Sequence, residues 1–280
     1  MSARMTDASL KPITAAEVEQ LEAQMNETGV GVLRDVISDS LLQQARGYVK
    51  AQLEQRGGQY FGLRGPEWIA QSPLDTVFRS EAFATVLTSL YEKAMGTQPP
   101  SDRILPVIRV VAGTLGLRHS NLFHYDSFVV TALVPIVIPS RPDELPGHLV
   151  MYPNLRKVRR RAVVNIAEKL FVESATARRL WRSPWLQHRL GAQIVKLEPG
   201  NIYFFWGMRS LHANQACLAE SVRSTVLFHF GDPHEKSVFK QYSRRLSELR
   251  TRRIAGKEHR ARDRRYAAVE GELPRANPDN

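Results

Sequence analysis

The sequence predicts a mainly β protein, an antiparallel barrel or sandwich with helices packed outside it. Three observations carry this expectation. Helical patterns fill the first third of the 280-residue chain, and apolar strand-like runs dominate from Leu105 onward. The strands do not alternate with helices as βαβ units would, which argues against a doubly wound parallel sheet. Hydrophobic residues make up 43% of the chain, enough for a packed core.

The elements follow in order. Thr14 to Glu17 reads as a capping box, with Val18, Leu21 and Met25 at helical spacing behind it and Gly29 as the stop. Gly29–Leu33 reads as a short strand. Ser38 or Asp39 caps a second helix whose apolar stripe is Leu41, Leu42, Ala45, Tyr48, Val49 and Leu53, ended by Gly57-Gly58. A third helix spans Ser80–Met95 before Gly96 and Pro99-Pro100. Val107–Val111, Phe128–Ile138 and Leu149–Tyr152 suit buried strands. A helical insertion is expected over about 160–182, with Ala167, Leu170, Phe171 and Leu180 on its buried side. Strands resume at Gln193–Leu197, Asn201–Trp206 and Ser221–Phe230, the first two joined by the turn Glu198-Pro199-Gly200-Asn201.

One domain over 1–233 is expected, its strands mainly within 105–231. A basic, partly helical tail follows over 234–280. The chain carries a formal net charge of +11. Much of it lies between Lys236 and Arg265, with a second knot at Arg156-Lys157 and Arg159-Arg160-Arg161. Such runs attract anionic partners, whether nucleic acid, lipid or small molecules, although most are simply solvated faces. Phe239, Tyr242, Leu246 and Leu249 give the start of the tail a helical pattern. No apolar run is long enough to span a bilayer, and the N-terminus lacks the apolar core of a secretory signal. Cys217 is the only cysteine, so an internal disulfide is excluded and a reducing compartment, most simply the cytoplasm, fits.

The chemistry is concentrated in a few residues. His124 and Asp126 are two apart, so on a strand they point to one face, and His212 lies far downstream. Two imidazoles and one carboxylate on one face of a metal suit non-haem Fe(II) and leave three cis positions open. In the strand around Arg223, alternation puts Arg223, Thr225, Leu227 and His229 on one face. An arginine facing a barrel interior needs an anionic partner, which a bound carboxylate supplies in a bidentate fork, with Thr225 adding a hydroxyl bond. His148 and His229 rank behind as ligands because neither has a carboxylate two residues away.

The order His124-Tyr125-Asp126, His212, then Arg223-Ser224-Thr225 resembles the Fe(II)/2-oxoglutarate-dependent dioxygenases. The helical N-terminal third and the run Pro199–Phe205 before His212 look most like their phytanoyl-CoA dioxygenase branch. The likeness covers roughly residues 28–233. It departs from that branch at Phe123, where tryptophan is common, and at Gly147–Tyr152, which replaces a turn ending in Gly-Ser-His. The resemblance implies a double-stranded β-helix, a jelly-roll or cupin-like barrel. It implies iron held by His124, Asp126 and His212, and the distal carboxylate of 2-oxoglutarate held by Arg223 and Thr225. It implies an oxygenase that uses O2 to hydroxylate a C–H bond and releases succinate and CO2.

Arg109, Arg118, His119, Asn121, Tyr152, Trp206 and Arg209 are the candidates for holding a small-molecule substrate, and their cations favour an acidic one. Two other readings keep the fold. One is a non-catalytic cupin-like binding protein with a basic tail. The other is an oxygenase acting on an anionic macromolecule or lipid.

Overall fold

The computed structural model describes residues 10, 13–117, 119–141, 143–158, 168, 172 and 174–235. The chain divides into two compact units, Met1–Pro233 and His234–Asn280, and the description concerns the first. Arg118, the knot Arg159-Arg160-Arg161, Ala167, Leu170, Phe171 and the tail from Lys236 lie outside the described residues.

The N-terminal third is helical for the local reasons the sequence contains. In α1 (Ala15–Glu27) the Thr14 side chain accepts from Glu17 N, and the Glu17 carboxylate accepts from Thr14 N at 2.7 Å. This reciprocal pair satisfies two donors that a bare helix start would leave open. Helix α2 (Asp39–Glu54) is capped by Ser38 and buries Leu41, Leu42, Ala45 and Val49. The single turns α3 (Pro66–Ile69) and α4 (Asp75–Phe78) lead into α5 (Glu81–Met95), which Ser80 caps and Gly96 closes at φ 68°.

Among the described residues nine strands follow in chain order as β1 (Val30–Leu33), β2 (Phe61–Arg64), β3 (Ile104–Val111), β4 (Val130–Val137), β5 (Leu149–Tyr152), β6 (Gln193–Val195), β7 (Ile202–Trp206), β8 (Leu211–Asn214) and β9 (Arg223–Phe230). They form two antiparallel sheets, a larger one in the order β1-β7-β4-β9-β3-β2 and a smaller one in the order β6-β5-β8. This is the arrangement of a double-stranded β-helix with flanking helices.

Alternation along the strands sorts the two faces of the larger sheet. Ile202, Phe204 and Trp206 of β7, and Val226, Phe228 and Phe230 of β9, join the core shared with the helices. Phe83 of α5 packs on Phe204 and, edge to face at 5.1 Å, on Phe228. Truncating a phenylalanine in such a core costs about 3–5 kcal/mol. Helix α1 lies directly on β1: a Cβ at Gly31 would sit 2.8 Å from the Leu21 carbonyl oxygen, so only glycine permits the approach. The opposite residues, among them Val30, Leu133, Tyr203 and Phe205, meet Leu149 and Met151 of the smaller sheet. That cluster fills one part of the space between the sheets, and the functional cavity occupies another.

Some elements depart from the sequence expectations. β2 lies outside the sequence expectations, because Phe61-Gly62-Leu63-Arg64 is too short and too polar to read as a strand, and β8 is the strand that His212 requires, although Leu211-His212-Ala213-Asn214 is too polar to give its bounds. β6 ends at Val195 rather than Leu197. Within the expected insertion the described helix is Ala175–Trp181, and a further helix, Pro184–Arg189, follows beyond its expected end. Leu180, expected on a buried side, is 54% exposed; the residue turned inward on that helix is Ala177. Among the described residues no helix is long and apolar enough to cross a membrane.

Candidate metal centre

His124 and Asp126 do not lie on a regular strand. They sit in an extended segment joined to β8 by one bridge, His124 to His212. His124 N donates to His212 O at 3.0 Å and His212 N to His124 O at 3.1 Å, so the two histidine backbones are tied directly. Asp126 N donates instead to Gly207 O at 2.9 Å. Phe123 and Tyr125 anchor the segment by packing with Val150, Tyr152 and Leu211. The alternation of an extended chain then turns His124 and Asp126 the other way. Gly207 is required to be small: a Cβ there would lie 2.7 Å from Thr131 Oγ1 and 2.9 Å from Asp126 Oδ2.

The three side chains converge. His124 Nε2 lies 3.7 Å from Asp126 Oδ1, His212 Nε2 lies 3.6 Å from Asp126 Oδ2, and one ligand atom from each falls within 4.8 Å of the others. Their tautomers are fixed from behind. His124 Nδ1 is 2.9 Å from Leu122 O, and His212 Nδ1 is 3.0 Å from Ser210 O. A carbonyl only accepts, so each Nδ1 carries the proton and each Nε2 presents a lone pair. His212 Nε2 is buried without a hydrogen-bond partner. An orphaned acceptor beside a carboxylate, in a set of two imidazoles and one acid, fits a divalent transition metal.

Electrostatics agree. Burial pushes the Asp126 carboxyl upward, but His229, His212, His124 and the Thr131 hydroxyl together outweigh it and hold the group below the usual carboxylate range. Burial, and then the neighbouring His212, push His124 down to about 3 against the opposing pull of Asp126. The set is therefore a carboxylate beside a neutral His124, as metal ligation requires.

A second layer supports the acid. Thr131 Oγ1 donates to Asp126 Oδ2 at 2.7 Å and lies 3.0 Å from His229 Nδ1. The hydroxyl has one proton, given to the carboxylate, so His229 Nδ1–H must donate to it. Sequence reasoning ranked His229 second and missed Thr131. The available signal was that Thr131 is the only polar residue in the apolar run from Phe128 to Ile138.

The centre opens into a cavity of about 350 Å³. Arg223, Thr225, Leu227 and His229 of β9 all line it, and Leu133 and Leu149 form part of its wall. Arg223 is 3% exposed. Its Nε donates to Gly147 O at 2.5 Å and its Nη1 to Thr225 Oγ1 at 3.3 Å. Among the described residues no carboxylate pairs with it. Burial lowers its pKa to about 10, still far above neutrality, so an uncompensated cation faces the cavity.

The other candidates are dispersed. Arg109 lines the cavity. His119 stacks on Tyr60, a lining residue, at 3.7 Å between centroids. Asn121 takes a left-handed backbone at φ 55°, and its carbonyl accepts from Arg182. Tyr152, Trp206 and Arg209 do not line the cavity. Tyr152 faces out of the smaller sheet, donating to Trp181 O at 2.8 Å. Trp206 belongs to the helix-side core, and its Nε1 donates to Asn26 Oδ1 at 3.0 Å. Arg209 lies over the Trp206 ring and donates to the same Asn26 oxygen. His148 accepts from Leu197 N and stands apart from the three ligands.

Neither protein-family models nor curated protein sequences match the chain. Solved structures do. The non-haem alpha-ketoglutarate-dependent carbocyclase SnoK from nogalamycin biosynthesis superposes with a TM-score of 0.51 at 17% identity, over 79% of this chain and 84% of that one. The epimerase SnoN, in complex with Fe3+, alpha-ketoglutarate and nogalamycin RO, gives 0.50 at 11% identity, over 78% and 85%. This chain has their fold.

Proposed function

We propose that the protein is an Fe(II)- and 2-oxoglutarate-dependent oxygenase that hydroxylates a C–H bond of a small molecule. The observation that carries this is one cavity holding both the orphaned His212 Nε2, beside Asp126 and His124, and the buried Arg223, which no carboxylate among the described residues pairs with. SnoK and SnoN support the cosubstrate, since their fold is shared and both are alpha-ketoglutarate-dependent.

In this reading His124, Asp126 and His212 hold the iron, and Arg223 with Thr225 holds the distal carboxylate of 2-oxoglutarate. Iron and 2-oxoglutarate, when bound, supply the activation of O2, with one oxygen atom going to the new alcohol and the other to succinate as CO2 leaves. The protein contributes the rest. Leu122 and Ser210 carbonyls lock both imidazoles in the ligating tautomer. Thr131 fixes the carboxylate. Gly147 O and Thr225 fix the guanidinium. Leu133, Leu149 and Leu227 keep the cavity wall apolar. Because Asp126 fills the third ligand position, hydroxylation is favoured over halogenation, which needs that position for a halide.

The sequence resembles the phytanoyl-CoA dioxygenase branch, and we keep that resemblance as part of the proposal. We also take residues 1–233 as the oxygenase domain and 234–280 as an appendage suited to an anionic partner.

The test is direct. Anaerobic Fe(II) protein is expected to gain a visible charge-transfer band on addition of 2-oxoglutarate, and aerobic protein to form succinate. His124→Ala, Asp126→Ala or His212→Ala should each remove both signals. Full retention in any one would overturn the role of that ligand, and absence of both from the wild type would overturn the reading.

A further inference from the structure

The cavity carries more positive charge than the cosubstrate needs. Of the described residues lining it, Asp126 is the only carboxylate, while Arg109 and Arg223 are cations, as is Arg64, which has a partner of its own. In the reading above Asp126 is committed to the metal, and Arg223, oriented by Gly147 O and Thr225, to the cosubstrate. Arg109 is different. It is exposed to the cavity, and no described residue gives it a hydrogen bond or an ion pair.

Its position is not that of an incidental surface arginine. β3 is an interior strand, flanked by β9 and β2. Arg109 stands level with Thr225 on one side and Gly62 on the other. Gly62 offers no side chain to cover it; the nearest atoms to a Cβ there are Ile108 O at 3.5 Å and Tyr60 Oη at 3.6 Å. Arg109 and its cross-strand neighbours Gly62 and Thr225 all line the cavity. Tyr60, on which His119 stacks, lines the cavity as well. A cationic substrate would be repelled here by the arginines and the metal alike. An anion would be drawn in and held by a planar fork.

Resting on the oxygenase reading above, we propose that Arg109 anchors an anionic group of the substrate, a carboxylate or a phosphate, separately from the 2-oxoglutarate held by Arg223.

The experiment titrates the anaerobic Fe(II) protein, saturated with 2-oxoglutarate, with benzoate and phenyl phosphate as anions and benzamide and benzyl alcohol as neutral counterparts. At least one anion should bind tenfold or more tightly than its neutral counterpart. The two anions tell carboxylate from phosphate. Arg109→Gln should erase the preference while the Kd for 2-oxoglutarate stays unchanged. Arg109→Lys should retain part of it, because it keeps the charge and loses the fork. Three results would overturn the proposal: no anion preference in the wild type, a preference that survives in Arg109→Gln, or weakened 2-oxoglutarate binding in that variant, which would move Arg109 into the cosubstrate site. If Arg109→Gln does not fold, Arg109→Lys decides, since unchanged anion binding there also overturns it. A wild type that binds no 2-oxoglutarate would sink the oxygenase reading instead, and the same probes without cosubstrate would still test Arg109.

Discussion

Arg223 shows how a single residue can report a ligand. Its sequence neighbours are strand-forming, its alternation faces it inward, and its burial leaves a cation without a carboxylate among the described residues. Arg223→Ala removes one half of a desolvated charge pair, so 2-oxoglutarate binding should weaken by about 2–5 kcal/mol, roughly thirtyfold or more in Kd. Arg223→Lys should recover only part. Equilibrium titration with 2-oxoglutarate reads both, and an affinity indifferent to both changes would place the cosubstrate elsewhere. Thr131 is the complementary case, a residue that touches the acid rather than the ligand it holds. Thr131→Val keeps the shape but leaves Asp126 Oδ2 and His229 Nδ1 without the shared hydroxyl. Lost support of this kind typically costs about 10–100-fold in metal affinity. A chelator-competition assay should show that loss, with Thr131→Ser close to the wild type.

At the scale of elements, the faces of strands decided what could be read. Arg223, Thr225 and His229 were legible because one long strand, β9, gives an unbroken alternation. Tyr152 and Trp206 were not, because a face cannot be assigned without knowing which sheet carries the strand and on which side its helices lie. β5 is buried throughout, and so is β7, which erases the polar–apolar contrast that would have told in from out. The loop before β5 is held in another way. Glu144 accepts from Ser140 N, Arg141 N, the Arg141 guanidinium and, at 3.0 Å, from Ser221 Oγ just before Arg223. Backbone and then side-chain bonds from Arg141 hold its carboxyl down to about 2. The folded pKa lies below the unfolded one, so this contribution to stability is full above the ordinary glutamate range and fades as pH falls toward 2. Glu144→Gln should therefore flatten the pH dependence of thermal stability between about 4.5 and 2. Melting curves across that range, compared with the wild type, check it; unaltered pH dependence would show that the clamp does not contribute.

For the whole molecule, the fold class was legible from texture alone, helices first and strands after, because a sheet covered by helices on one face and by a second sheet on the other needs nearly continuous apolar strands. The pairing of sheets was not, since β2 and β8 carry too few apolar residues to announce themselves, yet β8 delivers His212. The basic segment poses the remaining question at this scale. By sequence it follows the last strand, contains no metal-ligand pattern, and beyond Ile254 has little apolar surface to bury. All the residues assigned to iron and cosubstrate precede it. A chain ended near Ala255 should therefore keep iron binding and the formation of succinate in the absence of substrate. It should weaken any salt-sensitive attraction to a polyanion, because that attraction scales with the number of arginines and lysines that displace counterions and the cut removes those beyond Ala255. Heparin binding measured at rising salt, alongside succinate formation, separates the two roles. Loss of turnover in a folded, truncated protein would show that the basic segment serves the active site, and unchanged heparin binding would show that the charge responsible precedes Ala255.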